Sequence, residues 1–118
     1  MWDASPMKPL TLMETDPGEF SLLLDTGGLA VDDLIQELGH EPNGYFWEGI
    51  AELIVANEAP ELDGRVDYDP EAGMFCARSQ DRAALEDLGA RMSVAATDPG
   101  RLRELVALAV ATGFEFDD

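Results

Sequence analysis

The sequence has few cysteines, histidines and basic residues. There is one Cys and one His in 118 residues, and seven Lys and Arg side chains stand against 25 Asp and Glu. A single cysteine cannot form an internal disulfide or supply the thiolates of a structural zinc site. The formal net charge of −18 opposes binding to nucleic-acid phosphates and anionic membranes, and it favours a cationic partner. We therefore expect a protein partner and neither nucleic acid nor membrane.

Long apolar runs are also lacking. No stretch approaches the roughly 18 apolar residues that a membrane span requires, and the first residues lack the basic and then apolar pattern of a signal peptide. The chain is nevertheless 46% hydrophobic, which is enough for a core. We expect a cytoplasmic protein with a flexible N-terminal tail at residues 1–8, where Met7 is an alternative start, and a single α+β domain at residues 9–118.

Turn residues and hydrophobic periodicity divide the chain into two similar halves. A hairpin is predicted at 9–25 around Asp16-Pro17-Gly18, and a second at 65–78 around a turn at 69–73. Helical periodicity follows each hairpin, and the predicted helices are about Ala30–Leu38, Tyr45–Asn57, Gln80–Ala96 and Pro99–Thr112. This ββαα-ββαα order predicts an α+β fold of about four antiparallel strands with the helices packed on one sheet face.

Three patterns resemble catalytic or ligand-binding motifs but are incomplete. Cys76 and His40 lack an orienting third residue, so we interpret them as a strand cysteine and a loop histidine. The segment 67–71 begins like a calcium loop, but Ala72 and Arg78 stand where that loop requires Gly and Glu. Gly27-Gly28 before a helix lacks a Lys and is surrounded by acids that repel phosphate. We predict no catalytic residue, no metal and no cofactor.

The acidity is concentrated in the first part of the chain, because residues 1–72 hold 17 acids and two bases. Within that part, three consecutive aromatic residues at 45–47 cannot all face one core from a helix. Phe46 lies on the apolar stripe, whereas Trp47 either reaches the rim or packs under the loop at 26–31, and the sequence leaves both positions open. Aromatic residues beside carboxylates are typical of a hot spot for a basic partner. The predicted partner-binding residues are Tyr45, Trp47, Glu48, Glu52, Glu41, Asp32 and Asp33.

Four segments together resemble one known family. They are Glu37–Gly49 (ELGHEPNGYFWEG), Phe20–Asp25 (FSLLLD), Tyr68–Ala77 (YDPEAGMFCA) and Gly113–Asp118 (GFEFDD). Taken in their order along the chain, they resemble the immunity protein 51 family of bacterial polymorphic toxin systems, over about residues 9–118. The family pattern falls on Gly44, Tyr45, Trp47, Glu48, Asp69, Gly73, Met74, Phe75 and Cys76. The chain departs from it at Arg78-Ser79-Gln80.

The resemblance implies a cytosolic antidote that binds a toxin domain and blocks it without catalysing a reaction. Many toxin domains are basic nucleases, which an acidic inhibitor can approach rapidly through electrostatic steering. Two alternatives remain open at this point. The same charge suits a nucleic-acid mimic or regulator of a basic DNA-binding protein, and a small ligand-binding domain requires a closed pocket with convergent polar groups.

Overall fold

A computed structural model describes residues 8–118 and contains one four-stranded antiparallel sheet with four α-helices. The expectations for a tail and an alternative start at Met7 concern residues outside those described, apart from Lys8. The strands are β1 (Thr11–Asp16), β2 (Glu19–Asp25), β3 (Asp67–Tyr68) and β4 (Met74–Ser79). The helices are α1 (Asp32–Glu37), α2 (Gly44–Glu58), α3 (Arg82–Thr97) and α4 (Pro99–Thr112), with one 3-10 turn at Pro60–Leu62.

The two hairpins lie side by side, and the strand order is β1-β2-β4-β3. Leu22 lies opposite Ala77, and Leu24 lies opposite Phe75, so these four buried side chains share one face of the sheet. Helices α2 and α3 contact the central strands. The helices therefore cover the apolar face, as the amphipathic strands predict.

The predicted order of elements is matched in part. Strands β1 and β2 precede α1 and α2, but a 3-10 turn then intervenes, and β3 has only two residues where the sequence suggested four. The two halves are therefore not equivalent hairpins. Before β3, the backbone carbonyl of Arg65 accepts a hydrogen bond from the side-chain hydroxyl of Ser79 at 2.7 Å, in place of a backbone hydrogen bond between strands.

Capping residues place the helix ends. Asp98 accepts a hydrogen bond from the amide of Gly100 at 2.9 Å, and Gly113 ends α4 with φ of 76°, so the predicted bounds of α4 are confirmed. Helix α2 begins one residue earlier than predicted because Asn43 accepts a hydrogen bond from the amide of Phe46. Asp81, which was predicted to lie inside α3, is its N-cap.

Helix α2 is the central element of the fold. Nine of its residues are buried, and it contacts α3, α4, β4 and the 3-10 turn. The C-terminal segment 113–118 packs along it without forming a strand, with the ring of Phe116 stacked on Phe46 at 4.9 Å. A Cβ at Gly49 would overlap that Phe116 ring. The missing side chain of this glycine thus makes room for the segment.

The first residue of α2 lies against the β3–β4 turn. The amide of Gly44 donates to the carbonyl of Ala72 at 3.1 Å, and a Cβ at Gly44 would overlap the backbone carbonyls of Glu71 and Met74. Backbone atoms in a closed turn cannot move aside as a flexible side chain can. The close approach therefore requires glycine at this position.

We expect Gly44→Ala to lower the free energy of unfolding by about 1–3 kcal/mol, because overpacking forces the helix and the turn apart. Gly27→Ala is the matched control, since nothing lies within 4 Å of its added methyl group. Urea denaturation of both variants and of the wild type measures the difference. Equal stability of Gly44→Ala and the wild type would show that the helix and turn are not in such close contact.

Candidate partner-binding site

The largely buried helix α2 reaches the surface along one narrow strip. The strip consists of Tyr45, Glu48, Glu52 and Ala56, which lie within about 80° of the helix circumference at 100° per residue. Tyr45 and Glu52 are exposed, Glu48 is half-buried, and their neighbours in the helix sequence are mostly buried. The strip thus combines one aromatic ring and two carboxylates. We call it the α2 strip.

Asp117, in the C-terminal segment, adds a further carboxyl group beside the α2 strip. Burial, together with the negative charges of Glu52 and Asp117, raises the pKa of Glu48 above the ordinary carboxyl value. Burial and Asp117 raise the pKa of Glu52 in the same direction. Neighbouring negative charges therefore disfavour the ionised form of both glutamates.

Tyr68 of β3 also lies beside the α2 strip, near Glu48 and Glu52. Burial raises the pKa of its phenol, and the negative charges of Glu52, Glu48 and Asp63 add to the increase. A cleft of about 370 Å³ runs between the strip and β3, lined by Glu52, Val55, Ala56, Pro60, Asp63 and Tyr68. The neutral phenol remains available as a hydrogen-bond donor beside the carboxylates.

The described arginines form their ion pairs with acids outside the α2 strip. The ion pairs of the described arginines engage Asp69, Asp81, Glu86, Asp87, Glu58 and Glu104. Within residues 8–118, no ion pair reaches Glu48, Glu52 or Asp117. The carboxylates of the α2 strip therefore have no cationic partner in the part of the chain that the structure describes.

Of the two positions that the sequence left open for Trp47, the structure excludes the one at the rim. Its side chain is completely buried, and its ring packs edge-on against Phe46 at 5.6 Å. Both rings can be buried because α2 is packed on several sides, whereas the sequence argument assumed a single core face. A partner cannot contact Trp47 while the fold is intact, so Trp47 supports the site from within.

Three other predicted partner-binding residues, Asp32, Asp33 and Glu41, lie outside the α2 strip. Asp32 accepts hydrogen bonds from the amides of Gly28 and Leu29, each at 3.0 Å, and so it fixes the loop before α1. Asp33 is exposed in the first turn of α1 and belongs to a separate helix. Glu41 is exposed, and its amide donates to Asp118 at 2.8 Å, which ties the loop before α2 to the C-terminal segment.

Sequence reasoning missed Asp117, Tyr68 and Asp63 as members of the site. The alternation of Phe and acid at 114–117 was a signal for Asp117, because two half-buried rings at 114 and 116 turn the alternating acids outward. Tyr68 and Asp63 gave no such signal. Their position depends on how the β3 edge packs against α2, which is a tertiary contact.

The incomplete motifs do not form a common site. His40 contacts Phe46, Phe116 and Asp118, whereas Cys76 lies on the opposite side of the sheet from the buried Phe75 and Ala77. Among the described residues no group of three or more His, Cys, Asp or Glu side chains could hold a metal ion. No helix in this part of the chain is long and apolar enough to cross a membrane.

A comparison with models of protein families gives a match to this chain. The family model described as Immunity protein 51 matches residues 10–110, which is most of the chain. Searches of curated proteins and of solved structures give no match.

The repulsion in the α2 strip has a measurable cost in stability. A carboxyl whose pKa is raised by folding destabilises the folded chain above that pKa and not at low pH, where it is protonated in both states. We expect Glu52→Gln to melt about 1–3 °C above the wild type at neutral pH, because a like-charge pair one helical turn apart costs about 0.2–0.5 kcal/mol.

At a pH of about 3, below the ordinary carboxyl range, the gain should vanish. Glu104→Gln on α4 is the control for a general effect of net charge, since the Glu104 ion pair with Arg101 is exposed and such pairs contribute little. Calorimetry at both pH values makes the comparison. A gain that persists in acid would show that the carboxylate of Glu52 is not its source.

Proposed function

Because the chain belongs to the immunity protein 51 family, we propose that it binds a cognate toxin domain of a polymorphic toxin system and neutralises it by blocking its surface. The α2 strip and Asp117 form the contact, and the partner surface is basic. The chain acts in the cytoplasm, as a binding protein rather than an enzyme. The family match supports the immunity role, and the geometry of the strip supports the choice of surface.

The observation that carries this proposal is that, within residues 8–118, no ion pair compensates the carboxylates of the α2 strip. Burial and mutual repulsion raise the pKa values of Glu48 and Glu52, yet no described arginine forms an ion pair with them. Approach of a Lys or Arg side chain from a partner would relieve the repulsion, so the free energy gained on binding includes that relief.

The aromatic and buried residues give the surface its shape. Tyr45 is 37% exposed beside the carboxylates, and aromatic rings bury much area at little entropic cost. Buried Trp47 and the docked C-terminal segment hold the backbone of the strip in place before binding. A preformed surface loses less conformational entropy on association. The net charge of −18 adds long-range attraction to a basic domain.

Affinity capture from an extract of the native host tests the proposal. We expect tagged wild-type chain to retain one basic toxin-domain protein at low salt and less of it at high salt. The double variant Glu48→Lys/Glu52→Lys should weaken binding of the purified toxin domain by at least tenfold, mainly through slower association, because it reverses the charge that steers encounter.

The double variant Glu86→Lys/Glu104→Lys changes the net charge equally on α3 and α4 and is the matched control. We expect it to bind within about threefold of the wild type, as surface charges outside an interface contribute little. Equal weakening by both variants would assign the effect to net charge and not to the α2 strip. Recovery of several unrelated DNA-binding proteins in place of one toxin would instead favour a nucleic-acid mimic.

A further inference from the structure

The face of the sheet opposite the helices is not typical of a solvated surface. An antiparallel sheet that faces water on one side normally alternates apolar residues inward with polar residues outward. Here the outward positions include Met13, Leu23, Met74 and Cys76. Met13 is 45% exposed, and the other three are half-buried. We call this surface the open face.

Strand pairing brings these side chains together. Leu23 lies opposite Cys76 on β4, and the next outward pair along these strands is Asp25 with Met74. On the other side Met13 of β1 lies opposite Ser21, which adjoins Leu23 in the same outward row of β2. Leu23, Cys76 and Met74 therefore form an apolar floor on β2 and β4, and Met13 lies diagonally across from Leu23 on β1.

The open face is also concave. A depression of about 410 Å³ lies on it, and a second depression of about 790 Å³ adjoins the first at the end of the sheet where Phe20 and Ser79 lie. The two share Thr15, Glu19, Asp69 and Arg78 in their linings. Leu23, Met74 and Cys76 line the smaller depression. A concave surface with an apolar floor offers more buried area to a partner than a flat sheet does.

Acidic residues surround the floor. Asp16, Glu19 and Glu71 line the depressions, and the strand register places Asp25 and Asp67 at their margins. None of these five carboxylates forms an ion pair with another described residue. The Arg78 at this face is already paired with Asp69 at 2.8 Å. The rim is therefore strongly negative.

We propose that the open face is a docking surface for a basic protein segment whose centre is apolar. An apolar floor buries apolar side chains, and the rim carboxylates then pair with Lys or Arg around them. A second copy of this chain would bring its own acidic rim against the first and be repelled. The proposal does not depend on the α2 strip, since Glu48 and Glu52 lie on the helical side of the sheet.

A display library of random 12-residue peptides provides a probe that needs no known partner. Immobilised wild-type chain should enrich peptides that combine Lys or Arg with apolar residues. Met13→Lys/Asp25→Lys should weaken these peptides at least tenfold, and both positions are exposed, so the variant should fold. The matched control Val110→Lys/Glu104→Lys, on exposed positions of α4, should change binding less than twofold.

Cys76 reports directly on the open face, because it is the only cysteine of the chain. A selected peptide should slow the reaction of Cys76 with a maleimide at least fivefold, and it should do so equally in Glu48→Lys/Glu52→Lys. Equal protection of Cys76 in Glu48→Lys/Glu52→Lys separates the two proposals, because that variant reverses the charge of the α2 strip and leaves the open face unchanged.

Three results would overturn the proposal. The first is a selection that does not enrich peptides combining Lys or Arg with apolar residues. The second is equal affinity of the selected peptides for the Met13→Lys/Asp25→Lys variant and for the wild type. The third is dimerisation of the wild-type chain in analytical ultracentrifugation, with Cys76 reacting more slowly as chain concentration rises. That result would make a second copy the occupant of the open face.

Discussion

Helix α2 is packed on all sides but one, and the arrangement of its neighbours follows from that packing. Phe46, Trp47, Ile50 and Ile54 are completely buried among the sheet, α3, α4 and the C-terminal segment. Glycines at 44 and 49 let a backbone turn and a phenylalanine ring approach the helix closely. What is left to solvent is a strip one residue wide. Its two carboxylates, those of Glu48 and Glu52, are close together because they lie one helical turn apart.

The proposed function would connect stability with binding. Burial and neighbouring negative charges raise the pKa values of Glu48 and Glu52, and Tyr68 and Asp117 lie beside them, so we expect the ionised carboxylates to disfavour the folded state at neutral pH. The proposed cationic partner would relieve that repulsion, whereas replacement of the acids would relieve it and also remove the attraction. The chain belongs to the immunity protein 51 family, which supports a protein partner.

Local signals in the sequence predicted much of the fold and part of the site. The Asp98-Pro99 start of α4, the turn at Asp16-Pro17-Gly18 and the spacing of Glu48 and Glu52 depend on neighbouring residues, and the structure agrees with them. The position of Trp47 was left open because periodicity cannot show how many sides of a helix are covered, and the structure buries its side chain. The short length of β3 and the approach of Asp117 to α2 depend on tertiary packing, which no local pattern encodes.

Carboxyl footprinting of the complex is the most direct test of the central claim. A carbodiimide and an amine label exposed carboxylates, and mass spectrometry then compares each residue in the free chain and in the chain bound to its captured toxin domain. We predict that labelling of Glu52 and Asp117 falls at least fivefold on binding, while Glu104 on α4 is labelled equally in both states. Unchanged labelling of Glu52 and Asp117 in a saturated complex would contradict the account and place the interface elsewhere.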